Sequence, residues 1–113
     1  LDGSRSIFNV ESVDEELAAR CARFDVHPTG PLWGRGAPRS VADVAELEVS
    51  MAAGWPTLRA GLEETADEAR RALRMRIDNF AWQVSADTAE LNFELRSGCF
   101  ATSVVREVFD LII

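Results

Sequence analysis

The spacing of the apolar residues changes near residue 73, and few folds accommodate such a change. Before it, apolar side chains recur at helical intervals: Leu17, Cys21 and Phe24 fall at i, i+4 and i+7, one face of a helix. After it the interval is two. Leu73, Met75 and Ile77 alternate with Arg74, Arg76 and Asp78, and Leu91, Phe93 and Leu95 alternate with Asn92, Glu94 and Arg96. Such alternation marks strands with one covered face. Ser85 to Thr88 reads as the turn between them, which predicts an antiparallel pair or two strands of one sheet. Ser97-Gly98 breaks the second strand, and a helix from about Ala101 would bury Val104, Val105 and Val108. A mostly helical first part followed by a strand-rich remainder predicts an α+β chain, as one unit or as pieces of two domains.

Local signals fill in the first part. Residues 5–10, with Ile7, Phe8 and Val10 apolar, read as a short strand. Asp14 is a candidate N-cap for a helix over 15–24. Asp25 to Pro38 holds three of the four prolines and three of the seven glycines, a density that predicts a loop. Leu32 and Trp33 are expected to pin that loop to a core. Ser40 is a candidate N-cap for a helix to about Ala53, with Val44, Leu47 and Met51 inward. Gly54 is expected to end it and Pro56 to open the next helix, where Leu58 and Leu62 share a face. Thr65-Ala-Asp-Glu68 matches a capping box, which predicts a short helix with Ala69, Ala72 and Leu73 inward.

Composition excludes several function classes. With 47% hydrophobic and 27% charged residues among 113, the chain is globular rather than disordered. No apolar run approaches the roughly 20 residues of a membrane span, and the start carries Asp2 and Arg5 without the apolar stretch of a signal peptide. The chain opens on Leu1 rather than methionine, which suggests a fragment of a longer protein or a removed tag. Two distant cysteines, Cys21 and Cys99, point to reduced thiols in the cytoplasm. One histidine, His27, and no CxxC or HxxxH spacing leave no metal site, and His27 is expected to be structural. No Ser-His-Asp set can be assembled, and a chain without lysine has no GxxxxGK[ST] loop.

The net charge of −7 argues against a free-standing nucleic-acid binder. All 12 basic residues are nevertheless arginine, whose planar fork suits phosphate and stacking on bases. Genomic base composition is the ordinary explanation of that bias.

The segment Phe93-Glu-Leu-Arg-Ser-Gly-Cys-Phe-Ala-Thr-Ser-Val-Val-Arg-Glu107 resembles the C-terminal signature of the TruD family of tRNA pseudouridine synthases. Ala69-Arg-Arg-Ala-Leu73 and the Trp82 region resemble the stretch leading into it. Thr29-Gly-Pro-Leu-Trp-Gly-Arg-Gly36 resembles the family's Gly-Pro-Leu-x-Gly-x-Gly loop, and Leu1-Asp-Gly-Ser with Phe8 the start of the same region. These stand in family order and span essentially the whole chain. Family members are roughly three times this length, above the usual single-domain size.

The resemblance implies that residues 1–75 are the later part of an inserted domain. Residues 76–113 would be the C-terminal part of the catalytic domain, its antiparallel strands and a last helix. It implies a parent isomerase that converts a D-arm uridine of tRNA to pseudouridine without a cofactor. The family's nucleophilic aspartate lies in a Gly-x-Lys-Asp-Lys context that does not occur here, so it is expected upstream and this piece alone should be inactive. The implied partners are tRNA and the remainder of the parent enzyme, with no membrane. A non-catalytic RNA-binding or interaction module of the same architecture is the alternative. A small acidic α+β domain with no activity of its own is a third reading, which ignores the resemblance.

Phe100 falls on the family's aromatic substrate-contact position. An extruded base needs an apolar or aromatic face, although a residue at a strand-to-helix junction is otherwise ordinary core. Gly98 would allow the tight backbone turn. Thr102 and Ser103 can bond phosphate or cap the helix. Arg106 can pair with the aspartate of the parent, with phosphate, or with Asp110 on the surface. Arg74 and Arg76, on the polar face of a strand, and Arg35, beside the Gly/Pro loop with Arg39, are candidates for RNA-backbone contact; a solvated face is the commoner role. Trp33, Trp55 and Trp82 are expected in the core.

Overall fold

A computed structural model describes residues 6–112. The chain is α+β and divides into two compact units, 1–74 and 75–113.

In the first unit, α1 (Glu15–Ala22) begins where expected: the Asp14 carboxylate accepts from the Leu17 amide at 2.7 Å, satisfying one of the free N–H groups of the first turn. Residues 6–10 are not a strand, and Arg5 and the Leu1-Asp-Gly-Ser string lie outside the described residues. Phe8, Val10 and Val13 instead line an apolar groove with Leu17, Cys21 and Val26.

The Gly/Pro loop contains a strand that the sequence reading missed. β1 (Thr29–Leu32) pairs antiparallel with β2 (Ala69–Ala72), Thr29 opposite Ala72 and Leu32 opposite Ala69. The predicted capping-box helix after Thr65 is therefore absent. The Thr65 hydroxyl donates to the Gly61 carbonyl at 2.7 Å as the last residue of the preceding helix. A two-stranded ribbon tolerates Pro31 because it consists of two edges. Beyond it the backbones cross closely. A Cβ on Gly34 would lie 2.5 Å from the Asp67 carbonyl carbon, so only glycine fits there.

α2 (Ala42–Ala53) and α3 (Pro56–Thr65) connect the two strands. Pro56 opens α3 as predicted, and Gly54 caps α2 with a right-handed φ of −68°. Ser40 does not cap α2; its hydroxyl donates to Glu48 at 2.7 Å, and Val41 holds the cap position without a side-chain bond. The helices also face the opposite way from the expectation. On α2 the half-covered stripe is Ala45, Glu48 and Ala52, and on α3 it is Arg59 and Glu63. Val44, Leu47, Met51, Leu58 and Leu62 are exposed, as are Trp55 and Leu32.

The cause is a set of ion pairs. Arg70 on β2 forks onto Glu48, at 2.8 Å to Oε1 and 3.1 Å to Oε2, and donates to the Thr29 hydroxyl at 2.8 Å. Side-chain exposure is 5% for Arg70 and 10% for Glu48. A pair so buried fixes the rotation of α2, because either charge left alone would carry a large desolvation cost. Similarly, Trp33 Nε1 and Arg59 Nε both donate to Glu63 Oε1, at 3.0 and 2.9 Å, with the Arg59 guanidinium 5.0 Å from the Trp33 ring centre.

In the second unit, β3 (Ile77–Val84) and β4 (Ala89–Leu95) form the expected antiparallel hairpin, closed by the Ser85 amide on the Thr88 carbonyl at 2.8 Å. The first strand starts later than predicted: Leu73 and Met75 precede it. A bulge between Asp78 and Ala81 shifts the register, with Asn79 at φ 52°, a conformation Asn accepts more readily than most residues. Phe80 and Phe93 stack across the strands with centroids 6.1 Å apart, while Trp82 is exposed. α4 (Ala101–Val108) follows. Val104 is 3% exposed and Val105 half-covered, but Val108 faces out. Val26 and Val104 are the buried hydrophobic residues among those described.

Candidate functional site

The junction between β4 and α4 is built by two local requirements. Gly98 has φ +88°, a left-handed conformation that side chains with a Cβ adopt at a cost. A Cβ there would meet nothing within 4 Å, so the demand for glycine is conformational rather than steric. The turn closes with the Cys99 amide donating to the Arg96 carbonyl at 3.1 Å. Phe100 then returns to extended backbone (φ −110°, ψ 121°) as the N-cap of α4, and its carbonyl accepts from the Ser103 amide at 3.1 Å. An aromatic residue cannot bond the free amides of the first turn, and α4 has no side-chain cap.

Phe100 is 56% exposed. Thr102 and Ser103 lie inside the first turn, not at the cap. Arg106 is exposed in the last turn of α4, where a cation is favoured by the helix dipole, and among the described residues no ion pair joins it to Asp110. The candidate residues Gly98, Phe100, Thr102, Ser103 and Arg106 thus stand within one turn and one short helix.

The other candidate arginines are differently used. Arg74 follows β2 rather than lying on a strand face. Its guanidinium donates to the carbonyls of Cys21 and Val26 and to His27 Nδ1, the latter two at 3.1 Å, and lies 4.3 Å from the Phe24 ring centre. Most of its donors are directed inward, onto Cys21, Val26 and His27. Arg35 Nη2 donates to the Glu64 carbonyl at 2.9 Å, neutralising the C-terminus of α3. Arg76 pairs with Asp78 at 2.6 Å. Arg35 and Arg76 both remain open to solvent.

Sequence reasoning missed Arg70 and Glu48. The Arg70 fork holds the Glu48 carboxyl below the usual carboxylate range, and the bond back from Glu48 raises Arg70 further above its ordinary value. Paired Arg and Glu at 22 residues' separation leave no periodic signal. Among the described residues no group of three or more His, Cys, Asp or Glu is placed to hold a metal ion, and no helix is long and apolar enough to cross a membrane.

A family model described as tRNA pseudouridine synthase D (TruD) matches residues 2–108. The chain belongs to the TruD family. It is 46% identical over 117 residues to the tRNA pseudouridine synthase D of Xanthomonas campestris pv. campestris (strain B100), an alignment covering 99% of this chain and 32% of that protein. The corresponding protein of Pseudomonas aeruginosa (strain LESB58) is 45% identical over 111 residues, covering 96% and 31%. That of Nitrosococcus oceani is 41% identical over 111 residues, covering 96% and 31%. This TruD chain spans about a third of the length of the curated relatives it matches. The turn carrying Gly98 and Phe100 lies within the region matched by the TruD model.

Proposed function

We propose that this chain is the C-terminal third of a tRNA pseudouridine synthase, in which Phe100 receives the base of a D-arm uridine removed from its stack. Residues 1–75 belong to the later part of the inserted domain and 76–113 to the end of the catalytic domain. The nucleophilic aspartate is supplied upstream, so this piece contributes substrate contact and not bond cleavage. The parent enzyme works without a cofactor, in the cytoplasm, with tRNA as its partner.

The observation that carries this reading is an exposed Phe100 at a glycine-turned junction inside a TruD-matched segment. Extruding a base costs a few kcal/mol of stacking, which an aromatic face partly restores. Thr102, Ser103 and Arg106 follow on the same short helix and supply hydroxyls and a cation for the nucleotide's phosphate. Arg35 and Arg76, open to solvent, serve as backbone contacts; Arg74 contributes least, since most of its donors are turned inward.

The test is Phe100→Ala in a polypeptide of the relatives' full length carrying this chain. Turnover is expected to fall at least about tenfold, with tRNA affinity changed by less than about threefold. Unchanged turnover would remove Phe100 from the site. The net charge of −7 favours a second reading, a non-catalytic RNA-binding or interaction module. Salt-sensitive tRNA binding by that full-length polypeptide without pseudouridine formation would select it.

A further inference from the structure

The Gly/Pro loop of the first unit encloses a feature that the substrate-contact reading does not use. Glu68 stands one residue before β2, with its side chain 10% exposed. Its Oε2 faces Arg39 Nε at 3.3 Å. Its Oε1 is fully buried and accepts no hydrogen bond from the described residues. A carboxylate oxygen without a donor is costly to bury. Beside it lies a cavity of about 10 Å³ lined by Pro31, Trp33, Gly34, Gly36, Pro38 and Glu68.

We infer that this cavity is a binding site for a single ordered water, which donates to Glu68 Oε1. Its size sets the ligand: about one water-sized probe, too small for a base, a phosphate or a side-chain tip. Its lining sets the chemistry. A buried water needs two to four polar partners; the carboxylate oxygen supplies one, and two of the lining residues are glycines, which present only backbone. The surrounding backbone is tied by hydrogen bonds and a close approach. The Glu68 amide donates to the Arg35 carbonyl at 2.9 Å, the Arg35 amide donates to the Ala66 carbonyl at 2.8 Å, and Gly34 cannot accept a Cβ against Asp67 and Glu68. The water thereby ties the Trp33–Pro38 loop to the start of β2.

Magnetic relaxation dispersion of water nuclei, which counts long-lived internal waters, tests this. The Glu68→Leu protein is expected to hold one fewer such water than the unmodified protein, and Glu68→Gln, which keeps an acceptor of the same shape, to hold the same number. Equal counts in the unmodified and Glu68→Leu proteins would overturn the inference. Should Glu68→Leu fail to fold, a crystal structure of the unmodified protein decides. Solvent density within hydrogen-bond distance of Oε1 supports the site; Arg39 turned to bond both carboxylate oxygens, with no solvent in the space, overturns it.

Discussion

At Gly98 a single dihedral sets the direction of the chain. Its φ of +88° turns β4 into α4, with Phe100 at the helix start. Gly98→Ala should destabilise the fold by about 1–2 kcal/mol through backbone strain alone, since nothing lies close enough to clash. A denaturant midpoint unchanged by that substitution would contradict the left-handed assignment. The break at Gly98 and the helix start at Ala101 were legible because a broken alternation beside glycine is a local signal, whereas Phe100 was singled out by the family resemblance alone. The roles of Thr102 and Ser103 were less legible: an N-cap depends on where the first helical residue falls, and Phe100 takes that position. Arg74 was misplaced because an alternating Leu-Arg-Met-Arg string looks like a strand whether or not a partner strand is present.

Among the elements, those with a long repeat were readable and those without were not. The β3–β4 hairpin shows several alternations and was anticipated, though its first strand begins at Ile77 rather than Leu73. β1 and β2 have four residues each, too few to show a period, and their pairing joins residues 37 to 43 positions apart. The rotation of α2 was read in reverse because apolar residues were assumed to face inward, whereas the buried Arg70–Glu48 pair turns that face out. Glu48→Ala should cost about 3 kcal/mol, leaving Arg70 buried without its carboxylate; exchanging both for apolar residues of similar size should cost much less. The pair also predicts acid sensitivity. Because the folded Glu48 carboxyl titrates below its ordinary range, its stabilisation is present above that range and is lost as pH falls through the lowered value. Unfolding followed from neutral to acidic pH should show that loss in the parent protein and not in Glu48→Gln. An identical acid profile for the two would contradict it.

Across the whole molecule, the outward stripe of Val44, Leu47, Met51, Leu58 and Leu62 is more apolar than the side it turns inward. Exposed patches of this kind mark surfaces that meet other protein, and the relatives are about three times as long as this chain. Leu47→Ser should therefore be nearly neutral in the 113-residue chain but cost about 2 kcal/mol or more in a polypeptide of full family length. Equal effects in both would mean that the stripe is never covered. The central claim is a division of labour: this third of the chain receives the base, and the rest breaks the bond. Its most direct test is pseudouridine formation in tRNA by the 113-residue chain and by a full-length polypeptide carrying it. The account predicts product from the longer protein alone. Product from the 113 residues by themselves, or none from either, would contradict it.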